Sequence, residues 1–141
     1  MTTTTSPTAR ETVLDFHRAW TSGDIERATT RATTLLSQDV VCRAPGEDLV
    51  GREAYGAFLA GFSPNLTGVG KVSALAEDDR VALFYCPHTA VTSTAPAAEH
   101  FTVRDGLIVE NVLVFDRLSY LPPEQPGTAP GGPAGQDGPR G

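Results

Sequence analysis

The feature that most constrains this chain is a change of period near residue 62. Before Phe62 the apolar side chains recur every three or four residues, as on one face of a helix. From Val69 to Arg117 they recur every second residue, as on one face of a strand. A chain that makes its helices early and an antiparallel run of strands late must lay those helices on one face of the sheet. That predicts an α+β domain.

The helical half has clear punctuation. Thr8 and Glu11 form a capping box, in which each side chain can satisfy the other's backbone N–H. Val13, Phe16, His17 and Trp20 follow at helical spacing, and Ser22-Gly23 ends that helix. Asp24 is a good N-cap for a second helix with Ile25, Ala28, Ala32 and Leu35 on one face. Its tandem repeat RATTRATT is rich in threonine, a poor helix former, so an irregular helix is expected. A short strand, DVVCRAPG, closes in a Pro-Gly turn. A third helix spans Arg52 to Phe62 with Tyr55, Phe58, Leu59 and Phe62 on one side. Strands are predicted at Val69 to Leu75, Val81 to Val91, Ala98 to Arg104 and Leu107 to Arg117.

Twelve of the last twenty residues, 122–141, are Pro or Gly, which leaves too little apolar surface to offset the entropy of ordering. They predict a disordered tail, and the threonine-rich residues 1–7 predict a flexible start. The folded domain is then 8–121. At 141 residues the chain is one domain's worth and can hold a small pocket.

Composition narrows the function. A net charge of -6 argues against a nucleic-acid binder, which needs a basic face, and favours a small neutral or apolar metabolite. No run of 18 apolar residues predicts a membrane span, and the start lacks the pattern of a secretory signal, so a cytoplasmic setting is expected. Cys42 and Cys86 then read as buried thiols and not as a disulfide. The three histidines are not at metal-ligand spacing, and there is no Gly-rich phosphate loop, dinucleotide fingerprint or nucleophile elbow. Neither metal nor cofactor is expected.

The closing segment, Ala97 to Asp116, reads as a hairpin turning at Asp105-Gly106. Two registers compete. A two-residue loop pairs Arg104 with Leu107. A three-residue loop with Gly106 left-handed in a bulge pairs Val103 with Leu107. The second gives the cleaner apolar face and is the expected one: Glu99, Phe101, Val103, Leu107, Val109, Asn111, Leu113 and Phe115 on one side, with Glu99 directly across from Asn111. A carboxylate there has two readings. It is either a satisfied structural group or a pocket acid whose pKa is raised by desolvation.

The stretches FHRAWTSGDIERA, LLSQDVVCRAPG, GREAYGAFLAGF and EHFTVRDGLIVENVLVFD, taken in order, resemble the nuclear transport factor 2-like superfamily. Within it they are most similar to the SnoaL-like polyketide cyclases and the ketosteroid-isomerase relatives. The resemblance implies a cone: three N-terminal helices packed on a strongly curved, mostly antiparallel sheet that encloses a pocket, often dimeric through the outer sheet face. It places Glu99 where ketosteroid isomerases carry an Asp-His-Phe whose neutral acid donates to an oxyanion. It also sets Phe16 at the isomerase tyrosine and Ala44 at the isomerase base. Leu113 falls at the last-strand aspartate of SnoaL-type cyclases and limonene-epoxide hydrolases, with Asp116 three residues on and facing outward. The usual proton-transfer sets of those relatives are therefore incomplete here.

The candidate catalytic residues are Glu99 with Asn111, and His88 if it points inward to partner the acid. Alternation through FYCPHTA puts Phe84, Cys86 and His88 on one side of their strand and Leu83 and Tyr85 on the other. Expected pocket walls are Phe16, Trp20, Cys42, Tyr55, Phe58, Phe62, Phe84, Phe101, Leu113 and Phe115. His17 and His100 are expected to face away. Two functions fit: a cofactor-independent enzyme doing acid–base chemistry (isomerisation, cyclisation, dehydration or epoxide opening) on an apolar polyketide- or terpenoid-like metabolite, or a non-catalytic binding or dimerisation module. A homodimer is expected in either case.

Overall fold

The computed structural model describes residues 7–120. The expectations for residues 1–6 and 122–141 lie outside them. Helix α1, Ala9–Trp20, opens with the capping box: the Thr8 hydroxyl accepts from the Glu11 N–H at 3.1 Å, and the Thr8 N–H donates to Glu11 Oε1 at 2.9 Å. Its buried side carries Val13, Phe16, His17, Ala19 and Trp20.

The second predicted helix is broken in two, α2 at Ile25–Thr29 and α3 at Arg31–Thr34. The threonines supply the reason. Thr29, Thr33 and Thr34 all turn their hydroxyls back onto carbonyls of the preceding turn, which bends a helix and competes with its ladder. Both repeat alanines, Ala28 and Ala32, are still fully buried. Ile25 is not; it is half exposed, outside the stripe predicted for it.

Strand β1, Leu36–Ala44, is longer than predicted and turns at Pro45-Gly46 into a strand the sequence reading missed, β2 at Glu47–Val50. Helix α4, Arg52–Phe62, matches its predicted span. The meander follows as β3 Leu66–Glu77, β4 Arg80–Thr89, β5 Ala97–Arg104 and β6 Leu107–Phe115, ending in a 3₁₀ turn at Arg117–Tyr120. Strand order is β2-β1-β6-β5-β4-β3, with β1 parallel to β6 and every other pair antiparallel. The helices lie against one face of this curved, unclosed six-stranded sheet, the expected α+β arrangement. Among the described residues no helix is long and apolar enough to cross a membrane.

The β5–β6 hairpin follows the two-residue-loop register only at its turn, and beyond a bulge it takes a pairing that neither expected register gives. At the turn, Arg104 pairs with Leu107, and Asp105 and Gly106 have φ of 53° and 77°, the two left-handed residues of a type I′ turn. The expected pairing of Val103 with Leu107 is therefore incorrect, since Val103 pairs with Ile108. Between Ile108 and Glu110 an extra residue, Val109, bulges, and it resets the parity of everything beyond it. Near the turn the inward residue is Ile108, with Leu107 and Val109 only half buried. Past the bulge the inward set is Asn111 and Leu113, as expected. Asn111 pairs with Phe101, and Glu99 with Leu113, so Glu99 and Asn111 are diagonal neighbours and not directly opposed.

Candidate active site

The registers align inward residues into rows across the sheet. Cys42 of β1 pairs with Asn111 of β6, which pairs with Phe101 of β5, which pairs with Val81 of β4. One step along, Leu113, Glu99 and Leu83 make the next row. Helices α1 and α4 close over these rows, with the Phe16 ring edge-to-face on Tyr55 (centroids 5.7 Å apart) and on Phe101 (6.0 Å).

A polar chain is embedded in this apolar setting. Tyr85 of β4 donates its hydroxyl proton to Glu99 Oε2 at 2.5 Å. Asn111 Nδ2 spends one hydrogen on Glu99 Oε1 and the other on the Tyr55 hydroxyl oxygen, both at 2.7 Å. The Tyr55 hydroxyl in turn meets the Cys42 thiol. Within this hydrogen-bonded network only Asn111 Oδ1 has no partner among the described residues. Glu99 is 4% exposed and Asn111 not at all.

Burial raises the Glu99 pKa, and the hydrogen bonds from Tyr85 and Asn111, which favour the ionised form, oppose that rise in part. Burial and then the Glu99 charge push Tyr55 and Tyr85 well above the usual phenol value. The same two causes push the Cys42 thiol up to about 12. Every neighbour of Glu99 thus holds its proton, and Glu99 is the group in the chain whose proton is closest to exchangeable.

Glu99 opens onto a cavity lined also by Trp20, Tyr55, Phe58, Phe62, Tyr85 and Phe115, with Leu59, Pro87, Leu113 and Tyr120 completing it. Water-sized molecules can place their centres in about 30 Å³ of it. An outer groove of about 360 Å³ by the same measure adjoins it and shares Phe58, Phe62, Phe115 and Tyr120.

Of the predicted wall residues, Trp20, Tyr55, Phe58, Phe62, Leu113 and Phe115 line this cavity. Phe16, Cys42 and Phe101 are fully buried in the core beneath it and do not reach it. Phe84 and His88 are corrections. The alternation along β4 is as predicted, but its phase is inverted: Leu83 pairs with Glu99, so Leu83, Tyr85 and Pro87 point inward and Phe84 is 47% exposed outside. His88 lies on the outer face over Gly68 and Gly70, whose missing Cβ atoms leave room for its ring, and it cannot partner Glu99. His100 is exposed as expected, and so is Asp116, which caps the last 3₁₀ turn.

The sequence reading missed Tyr85, Tyr120 and His17. His17 is buried rather than turned away, its ring 4.4 Å from that of Tyr85 and 5.4 Å from that of Trp20. Burial, and then the charge of Arg18, lower its pKa to about 4, so it is neutral at pH 7.

Comparison with known proteins agrees with this fold. A crystal structure of a protein from Kribbella flavida is 36% identical over 82% of this chain and 92% of its own, with a TM-score of 0.73. A candidate polyketide cyclase from Pseudomonas putida is 20% identical over 82% and 96% (TM-score 0.67). A protein of ketosteroid isomerase-like fold from Catenulispora acidiphila, solved in complex with trimethylamine, is 22% identical over 82% and 90% (TM-score 0.60). No curated protein matches the chain. Residues 13–111, most of the folded domain and all of the Glu99 network, match the model of the SnoaL-like domain, and the chain belongs to that family.

Proposed function

We propose that this protein is a cofactor-independent enzyme that uses Glu99 for acid–base chemistry on a compact apolar metabolite of polyketide or terpenoid kind. Isomerisation, cyclisation, dehydration and epoxide opening all pass through proton transfer to or from the substrate, which a positioned carboxyl can make. One observation carries the reading: a glutamate, 4% exposed as a residue, opening onto an aromatic cavity, with no basic side chain bonded to it among the described residues. Asn111 and Tyr85 hold its two oxygens in place, so Asn111 is a positioning residue. The fold family, with its candidate polyketide cyclases, is compatible with this chemistry, and the trimethylamine complex of the Catenulispora neighbour has a ligand of the size such a cavity would hold.

Glu99→Gln tests it. The amide keeps the size and can still accept from Tyr85, but it cannot transfer a proton. Turnover of a substrate found by screening small cyclic enones, epoxides and polyketide fragments should fall by about 10²–10⁴-fold with the fold intact. Full turnover in a folded Glu99→Gln protein would overturn the catalytic role. A binding module of the same fold is the second reading, favoured by Leu113 standing where a cyclase aspartate would be. A homodimer through the outer sheet face belongs to the same proposal: Phe84 and Val114 present 47% and 59% of their surface there, and sedimentation at micromolar concentration tests it.

A further inference from the structure

Glu99 is a buried acid with no cation paired to it among the described residues. Each of its oxygens accepts one hydrogen bond, from Tyr85 and from Asn111, the pattern suited to an ionised carboxylate. The ion pairs among the described residues lie elsewhere: Arg31 with Asp15, and Arg43 with Asp48 and Glu110. No Lys or Arg side chain lines the cavity at Glu99, and Arg117 of the last 3₁₀ turn lines the outer groove instead. Helix α4 brings Tyr55, β1 brings Cys42, β4 brings Tyr85 and the last 3₁₀ turn brings Tyr120, all with raised pKa values. From α1 comes His17, held neutral behind the Tyr85 ring.

The walls facing this carboxyl are aromatic on nearly every side: Trp20, Phe58, Phe62, Phe115 and Tyr120 besides the two network tyrosines. The faces of such rings attract cations through their quadrupoles, most strongly where water is excluded. An acid and several aromatic side chains lining a space with no Lys or Arg among the described residues are the ingredients of an ammonium site. The space fits one too. Widening 30 Å³ of water-centre space by a water radius of ~1.4 Å on all sides gives a chamber of ~150 Å³, enough for a compact methylated head.

We propose that this cavity receives the head of a small alkylammonium compound, a tertiary or quaternary amine methylated on nitrogen, with Glu99 as its counter-ion and the aromatic walls around its methyl groups. The inference rests on the reading that the Glu99 cavity is the ligand site, and it names the ligand class. Burial favours the protonated acid while the cavity has no guest, and a bound cation favours the carboxylate. Ammonium binding should therefore expel a proton.

The test is calorimetry on the full chain with tetramethylammonium chloride and its neutral near-isostere tert-butanol, in two buffers of different ionisation enthalpy. The expected result is tetramethylammonium binding at least tenfold tighter than tert-butanol, with proton release. Glu99→Gln should lose at least tenfold for the cation and keep its affinity for the alcohol. Phe58→Leu, which removes one ring and leaves the acid, should weaken the cation several-fold and the alcohol little. That second variant keeps the question open to experiment if Glu99→Gln fails to fold. Tert-butanol binding as tightly as the cation, or cation binding with proton uptake, would overturn the inference and leave the cavity as a ligand site. Binding of neither compound would overturn both.

Discussion

Tyr85 and Glu99 share a 2.5 Å hydrogen bond although they are not cross-strand partners. Glu99 pairs with Leu83, and Tyr85 sits one inward step further along β4, opposite Ala97. The small side chain at 97 leaves the phenol room to lean diagonally over the acid. The bond fixes Oε2 of Glu99 with a donor that burial keeps protonated. Tyr85→Phe deletes this donor and keeps the ring. The Glu99 pKa should then rise further, since one of the two bonds favouring its ionised form is gone. Carboxyl-carbon NMR titration reads this directly, and a Glu99 pKa that stays put or falls would show that the bond does not bias its ionisation. Stability should drop by about 1–3 kcal/mol, the cost of leaving a buried acceptor short of a partner.

His17 and Glu99 should pull the acid stability of the protein in opposite directions. The folded pKa of His17 is lowered from 6.5 to about 4. Between those values the unfolded chain binds more protons at this residue, so its contribution is present above pH 6.5 and is lost as pH falls toward 4. For this buried ring the loss amounts to about 3 kcal/mol. Glu99 works the other way. Its folded pKa is raised, so its contribution is complete below the unfolded value of 4.5 and is lost as pH climbs through the raised folded value. Urea titrations from pH 4 to 7 separate the two. Glu99→Gln should steepen the loss of stability on acidification, whereas His17→Phe, which keeps a ring against Tyr85 and Trp20, should flatten or reverse it. Identical slopes in wild type and His17→Phe would mean that His17 does not stay neutral when folded.

Most of this architecture was legible in the sequence because it rests on local signals. The capping box at Thr8 and Glu11, the apolar stripe of α4 and the period-two run beyond Val69 each fix an element without reference to any other. The site was legible in part. Glu99 stood out as a charge on an otherwise apolar strand face, and Asn111 as its companion. The misreadings share one cause, which is phase. Alternation on β4 is unambiguous, but whether the odd or the even residues point inward depends on its pairing with β5, a contact that the sequence of β4 does not encode. Phe84 and His88 were therefore placed inside and Tyr85 outside. The hairpin is a second case: the two-residue register holds only at the turn, and the Val109 bulge shifts the rest by one residue, so Asn111 and Leu113 face inward as expected while their partners differ. Tyr120 lies beyond the last strand, where no period remains to place it.

Cys42 should be chemically silent in the folded protein. It is fully buried, its pKa is pushed up to about 12 by burial and by the Glu99 charge, and the thiolate is the reactive form. Cys86 is free and partly exposed on the other sheet face. Iodoacetamide at pH 8 should label one cysteine per chain under native conditions and two in urea. Peptide mapping that finds Cys42 modified in the native protein would place its thiol within reach of solvent, contrary to its packing under Tyr55.

Tyr120 lies in the walls of both the inner cavity and the outer groove. Its ring lies edge-to-face against Phe62 (6.1 Å) and Phe115 (5.4 Å), and its hydroxyl donates to the Ala95 carbonyl at 2.8 Å. Asp116 secures the turn that carries it, accepting from the Leu118 N–H at 3.2 Å and from the Ser119 hydroxyl at 2.9 Å. Both spaces count Tyr120 in their walls, so removing its ring should merge about 30 Å³ with the roughly tenfold larger groove outside. A pocket's preference follows its shape once the polar contacts are held constant. Tyr120→Ala leaves Tyr85, Glu99 and Asn111 untouched and should admit bicyclic ligands that the wild type refuses. We expect 1-naphthol, followed by its own fluorescence, to bind the variant at least tenfold more tightly than the wild type. Tert-butanol, small enough for the inner cavity alone, should change little. Equal 1-naphthol affinity in the two proteins would show that the barrier lies elsewhere, with Phe62 or Phe115. Parallel weakening of both probes would show instead that Tyr120 contributes wall and not barrier.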